Sequence, residues 1–310
     1  MAKKPRLKLT TREEPDRLPG FRLTERDRAI IKAIYNFRVL TTPQVETLLF
    51  RPGPGQDHPT KTTRCQYRLK LLYHAGYLVR DEQPQKLSEG RKPLIYFLDK
   101  RGAELVAELE EKPIEELDWD RHGDQFSQLF LDHLLSTNDV RVAITVAAKD
   151  HAWGIETWVD DKRLKKAHMG QYVMLKGEQG KLQRATVVPD GYFILNTGEY
   201  VYHHFLEIDR RTVTGEATEL GRRDWARKVR AYLAYYRSGQ YEKRYHTKGL
   251  RILTVTTGER RLEHLKEITE KVGGKARFWF TTFEKISPAT VLTASIWNVA
   301  SKAERSSLIW

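Results

Sequence analysis

The sequence predicts a small α+β domain followed by a larger α/β domain with a mixed sheet. Two observations carry this. Between residues 24 and 98, three helix-period apolar patterns are followed by two short strand patterns. Beyond residue 124, strand and helix patterns alternate in the order αββββαβαβ, which suits a mixed sheet covered by helices. The two parts are separated by an acidic stretch: residues 106–126 hold eight Asp/Glu against two Lys/Arg. The expected organisation is therefore a basic arm over 1–21, a first domain over 22–105, an acidic connector over 106–123 and a second domain over 124–310.

In the first domain, Thr24 is a good N-cap with Asp27 at the capping-box position, and Ile30, Ile31, Ile34 and Phe37 follow at helical spacing. Thr42-Pro43 opens a second helix, because proline is tolerated in a first turn, and Val45, Leu48 and Leu49 form its apolar face. A third helix is expected over 60–74, ending at Ala75-Gly76. Cys65, Leu69 and Leu72 point inward at i, i+4 and i+7. Thr63, Arg64, Tyr67 and Lys70 lie opposite, with Arg68 at the edge. Strands at 77–79 and 93–98 then form a hairpin, with Lys86, Arg91 and Lys92 at its tip. Helix, helix, basic helix and hairpin is the order of a winged helix-turn-helix, whose third helix enters the major groove.

In the second domain, helices are expected over 124–136, 224–236 and 261–272. Strands are expected over 141–148, 153–159, 185–195, 200–209, 250–256 and 276–282, and a hairpin or loop over 161–183.

The chain has 310 residues and a net charge of +13, and the charge is placed rather than spread. Residues 1–80 hold 17 Lys/Arg against seven Asp/Glu, and residues 220–261 hold 12 against three. Such islands favour polyanions, so the expected partner is double-stranded DNA. The candidate contacts are Lys61, Thr63, Arg64, Tyr67, Arg68, Lys70, Arg91 and Lys92 in the first domain, and Arg222, Arg223 and Arg227 in the second. No apolar run is long enough for a membrane span, and the single cysteine, Cys65, suits a cytoplasmic setting. No Gly-rich phosphate loop precedes a Lys-Ser/Thr pair, which argues against ATP hydrolysis.

The chemistry-bearing passage is Val188-Pro189-Asp190-Gly191, followed by Phe205-Leu206-Glu207-Ile208-Asp209-Arg210. Glu207 and Asp209, at i and i+2 of a strand, share one face, with Asp190 on the neighbouring strand. Carboxylates gathered this way repel unless a cation sits among them. Mg²⁺ or Mn²⁺ held by Asp190, Glu207 and Asp209 is one solution, and it activates water for attack on a phosphodiester. Ion pairs with Arg210, Arg211 or the basic helix are the other.

Pro-Asp in one strand and Glu-x-Asp in the next resembles the restriction-endonuclease-like nucleases, whose pattern is Pro-Asp then Asp/Glu-x-Lys. Asp209 stands where the lysine belongs, and Lys228 on the following helix is the candidate replacement. The resemblance implies a catalytic set of Asp190, Glu207, Asp209 and Lys228.

The whole chain resembles the replication-relaxation family of plasmids and mobile elements over about residues 22–285. The passages are Asp132-His133-Leu134-Leu135-Ser136-Thr137-Asn138-Asp139-Val140, Phe205 to Thr212 with Arg211 in place of a glycine, Lys228-Val229-Arg230-Ala231-Tyr232, and Leu253-Thr254-Val255-Thr256 followed by Arg260-Arg261. It implies a winged helix, a nuclease-like α/β domain and a DNA-binding replication or mobilisation factor. Its partners would include proteins of the same element and possible homodimers, but no membrane.

Two other readings stand beside it: a metal-dependent nuclease or nickase, and a transcription regulator whose nuclease-like domain is catalytically dead. Tyr235-Tyr236 and His203-His204 invite comparison with relaxases, but adjacent strand histidines point to opposite faces. Packing or stacking on DNA is the expected role of the tyrosines.

Overall fold

The computed structural model describes residues 21–51, 62–83, 90, 92–119, 127–167, 172–176, 181–210 and 219–309, the side chains of 62 and 219–224 excepted. Residues 1–20 of the basic arm, Lys61, Lys86, Arg91 and Arg211 lie outside these residues, as do the side chains of Arg222 and Arg223. The chain divides into two compact units, residues 1–142 and 143–310.

In the first unit, α1 (Glu25–Phe37) begins with the expected capping box. The Thr24 hydroxyl accepts from the Asp27 N–H at 3.3 Å, and Asp27 Oδ2 accepts from the Thr24 N–H at 2.7 Å. A two-residue strand β1 (Leu40–Thr41) follows. Then α2 (Thr42–Leu49) starts from a second capping box, Thr41 with Gln44, with proline in its first turn. Next come α3 (Thr62–His74), β2 (Leu78–Asp81) and β3 (Ile95–Leu98). The sheet order is β1-β3-β2, all antiparallel. Ile30, Ile31, Ile34, Val45, Cys65, Leu69 and Leu72 are fully buried, so α1 and α3 pack by the stripes their sequence predicts, whereas on α2 only Val45 of the expected face is buried and Leu48 and Leu49 are partly exposed.

Asp99 caps α4 (Lys100–Leu109), in which Gly102 presses on the Tyr77 carbonyl. A Cβ there would lie 2.3 Å from that oxygen, so only glycine fits.

The expected strand over 141–148 is instead part of α5 (Gln128–Asp150), and the unit division falls inside that helix. Its first half belongs to the first unit's core. Leu131, Leu134 and Leu135 pack on Val39, Ile95 and Phe97. Asn138 Nδ2 donates to the carbonyls of Phe37 and Val39, and Gln44 Nε2 donates to Leu135 O and Asp139 Oδ1.

The second unit is built on a seven-stranded mixed sheet. Along the chain come β4 (Gly154–Asp160), α6 (Asp161–Ala167), β5 (Tyr172–Lys176), β6 (Leu182–Thr186), β7 (Gly191–Asn196) and β8 (Val201–Asp209). They are followed by α7 (Glu219–Arg237), α8 (Gln240–Tyr245), β9 (Arg251–Thr256), α9 (Glu259–Lys271), β10 (Phe278–Thr282), β11 (Trp297–Val299) and β12 (Arg305–Ser306). The sheet order is β12-β11-β10-β9-β8-β7-β4, with β8, β9 and β10 parallel and the outer pairs antiparallel. A bulge interrupts β4 between Ile155 and Thr157. β5 and β6 form a separate two-stranded sheet, so the expected strand over 185–195 is two strands broken around Pro189. The mixed α/β class read from the sequence is the one observed.

On one sheet face, Tyr192 and Phe205 pack with Val229, Tyr232 and Tyr235 of α7, Tyr241 of α8 and Leu262 and Leu265 of α9. Trp225 anchors α7 to α9, its indole N–H donating to Thr269 Oγ1 at 2.9 Å. Among the described residues, no helix is long and apolar enough to cross a membrane.

Candidate functional site

Two groups of residues were singled out by the sequence, one in each unit. In the first unit, α3 exposes Thr63, Arg64 and Tyr67 opposite its buried stripe, and Tyr67 is 54% exposed. Lys70 and Lys92 are half-buried. Arg68 departs from expectation. Its guanidinium pairs with the carboxylate of buried Asp27 and lies 5.6 Å over the Phe21 ring. Asp27 sits at the start of α1, so Arg68 ties α3 to the cap of α1 and has a structural role.

In the second unit, Asp190, Glu207, Asp209 and Lys228 converge. β7 and β8 are adjacent and antiparallel, with Gly191 opposite Leu206. Asp190 precedes β7 and extends that ladder: its N–H donates to Leu206 O at 2.9 Å, and its Oδ2 accepts from Ile208 N–H at 2.8 Å. Glu207 follows Phe205 on the face covered by α7. There Lys228 and Tyr232, one helical turn apart, donate to its two oxygens. Asp209 makes a bidentate pair with Arg261 at 2.9 and 3.0 Å and accepts from the Thr256 hydroxyl at 2.6 Å.

The electrostatics follow from this packing. Burial pushes Glu207 up to about 7, against the pull of Lys228. Burial alone would lower Lys228, but Glu207, Asp190 and Asp209 together hold it above the ordinary lysine value. Asp209 is also penalised by burial, yet its bonds to Arg261 and Thr256 keep it below the usual carboxylate range.

The four residues singled out in the sequence thus lie together, with Glu207 paired to Lys228 of the basic helix and Asp209 paired to a cation the sequence did not single out. The partners considered for Asp209 were Arg210, Arg211 and the basic helix; the observed partner is Arg261 at the start of α9. Its signal was the Arg260-Arg261 pair after β9, combined with the parallel register that sets Asp209 opposite Thr256.

This donor set does not fit a divalent ion as arranged. Both oxygens of Glu207 are engaged by Lys228 and Tyr232, and both oxygens of Asp209 by Arg261 and Thr256. Among the described residues, no group of three or more His, Cys, Asp or Glu is placed to hold a metal. Protein cations stand where Mg²⁺ or Mn²⁺ was expected.

The residues that invite comparison with relaxases lie on β8 and α7. His203 Nδ1 lies 2.7 Å from the Tyr192 hydroxyl. His204 is fully buried, stacked on Phe193 at 4.5 Å, and neither of its ring nitrogens has a hydrogen-bond partner. Tyr235 and Tyr236 belong to the aromatic packing around Tyr241, as expected of packing residues.

Fold and site together define a two-unit protein: a helical unit with a small antiparallel sheet, then a mixed-sheet α/β unit whose carboxylates, with Glu207 buried, are paired to the protein's own cations. The replication-relaxation family model matches residues 31–250, and the chain belongs to that family. No curated protein sequence matches. Two solved structures of the restriction endonuclease FokI are similar to this chain. The first is 14% identical with a TM-score of 0.28, and the alignment covers 84% of this chain and 42% of that one. The second, FokI bound to DNA, is 13% identical with a TM-score of 0.24, covering 86% and 45%. The chain thus spans less than half the length of either.

Proposed function

We propose that this protein is a replication or mobilisation factor that binds duplex DNA through the outer face of α3. The reading rests on one observation above all. Arg64 and Tyr67 are exposed on a helix whose other face is locked by Cys65, Leu69 and Leu72, following two capped helices and preceding a hairpin. A rigid helix presenting a cation, a hydroxyl and an aromatic suits the major groove. Family membership and the basic excess of residues 1–80 support it.

The test is duplex binding by the full chain across a salt series. Arg64→Ala/Tyr67→Ala should weaken binding and flatten the salt dependence by about one unit for the lost phosphate contact, while thermal stability holds. Unchanged affinity and slope would overturn the assignment.

A further inference from the structure

The two-stranded sheet of β5 and β6 stands apart from the seven-stranded sheet, inserted between β4 and β7. Residues 161–186, which contain it, hold seven Lys/Arg against two Asp/Glu. Its cross-strand pairs are Tyr172 with Thr186, Met174 with Arg184, and Lys176 with Leu182. The alternate residues Val173 and Ala185 are buried in the core that includes α7. Everything on the opposite face is exposed: Tyr172 by 41%, Met174 by 48% and Leu182 by 65%, with Lys176, Arg184 and Thr186 between them. The face is held in place from below, since Arg227 of α7 donates to the Arg184 carbonyl at 3.0 Å. The Arg184 guanidinium lies 4.0 Å over the Tyr172 ring.

We infer that this outer face is a binding surface for single-stranded DNA, resting on the reading of the protein as DNA-acting but independent of the α3 contact. Exposed apolar side chains on a buried-backed ribbon gain nothing from water and mark a surface meant to be covered. The interleaved cations select a polyanion. Duplex DNA turns phosphates outward and keeps its bases stacked, leaving Tyr172, Met174 and Leu182 without complementary surface. A single strand offers both: phosphates for Lys176 and Arg184, and unstacked base faces for Tyr172, Met174 and Leu182.

The experiment measures binding of the full chain to a labelled oligo-dT and to a duplex of equal length, across a salt series. Lys176→Glu/Arg184→Glu should weaken oligo-dT binding about tenfold or more and reduce its salt slope. Tyr172→Ala should weaken it by about fivefold or more at high salt, where stacking remains. Both should leave duplex binding at the parent level. Arg64→Ala/Tyr67→Ala should do the reverse, so a failure of the α3 assignment is read separately. Oligo-dT binding unchanged in the ribbon variants, or lost only for the duplex, would overturn the proposal. If charge reversal lowers the melting temperature, Lys176→Gln/Arg184→Gln gives the same readout without added repulsion.

Discussion

Lys228 on α7 and Glu207 on β8 form an ion pair in which the carboxylate is almost entirely buried, at 2%, while the lysine side chain is 39% exposed. The asymmetry makes the glutamate the dependent partner. At pH 8, where Glu207 is ionised, Lys228→Met should remove its cation, force it to take up a proton beside Tyr232 and cost about 2–3 kcal/mol in urea unfolding. That is below the cost of breaking a fully buried pair, because water reaches the lysine. Lys228→Met/Glu207→Gln should recover most of the loss. Additive losses would mean the pair is not coupled.

The titration of Glu207 carries a sign. Its pKa is about 7 in the fold against an ordinary 4.5. Between those values the folded state holds a proton that the unfolded chain has released, so this group's contribution to stability falls as pH rises through the window. Relative to Glu207→Gln, the parent should be more stable at pH 5 than at pH 8 by on the order of 2–3 kcal/mol. A difference that stays flat with pH would show that Glu207 is ionised throughout.

Because Lys228, Tyr232, Arg261 and Thr256 already satisfy Glu207 and Asp209, Mg²⁺ or Mn²⁺ should not raise the parent's melting temperature. A ligand stabilises only a fold that binds it. A rise that saturates with metal, and that Asp209→Ala abolishes, would contradict the closed arrangement.

Arg68 and Arg64 sit one turn apart on α3 and should behave oppositely. Arg68→Ala removes the partner of buried Asp27 and should destabilise the first unit by about 3 kcal/mol. Arg64→Ala should leave its melting temperature nearly unchanged, since Arg64 is exposed. Equal thermal effects would reject this division of roles.

The first unit needs the start of α5. A fragment ending at residue 105 lacks Leu131, Leu134 and Leu135 and bares Val39, Ile95 and Phe97. Residues 21–142 should unfold cooperatively and at higher temperature than residues 21–105. Identical melting curves would show that the helix contributes nothing to this core.

The elements that were legible in the sequence are those whose signals are local. Thr24 with Asp27, and Pro43 in its first turn, announced two helix starts that the structure repeats. The carboxylate cluster was legible because i and i+2 on one strand and Asp190 on its neighbour need only strand pairing. Residues 141–148 misled because Val140, Val142, Ala143, Ile144, Val146, Ala147 and Ala148 are all buried. A helix apolar nearly all round, rich in β-branched residues, has no period that separates it from a strand. Arg261 was out of reach for another reason. It lies 52 residues from Asp209, and only the parallel alignment of β8 with β9 joins them.

The bulge in β4 has a consequence for how copies of this chain could meet. Strand edges recruit other strands when they offer an even row of amide and carbonyl groups. Among the described residues, β4 terminates one side of the sheet with its spacing broken at Ile155 and Thr157, and the other side ends in β12, only two residues long. An incoming strand would find a misaligned template on one flank and almost none on the other. Continuous sheet extension from chain to chain is thereby discouraged, and association of two copies through this sheet would have to proceed by side-chain surfaces, where charge and salt can regulate it.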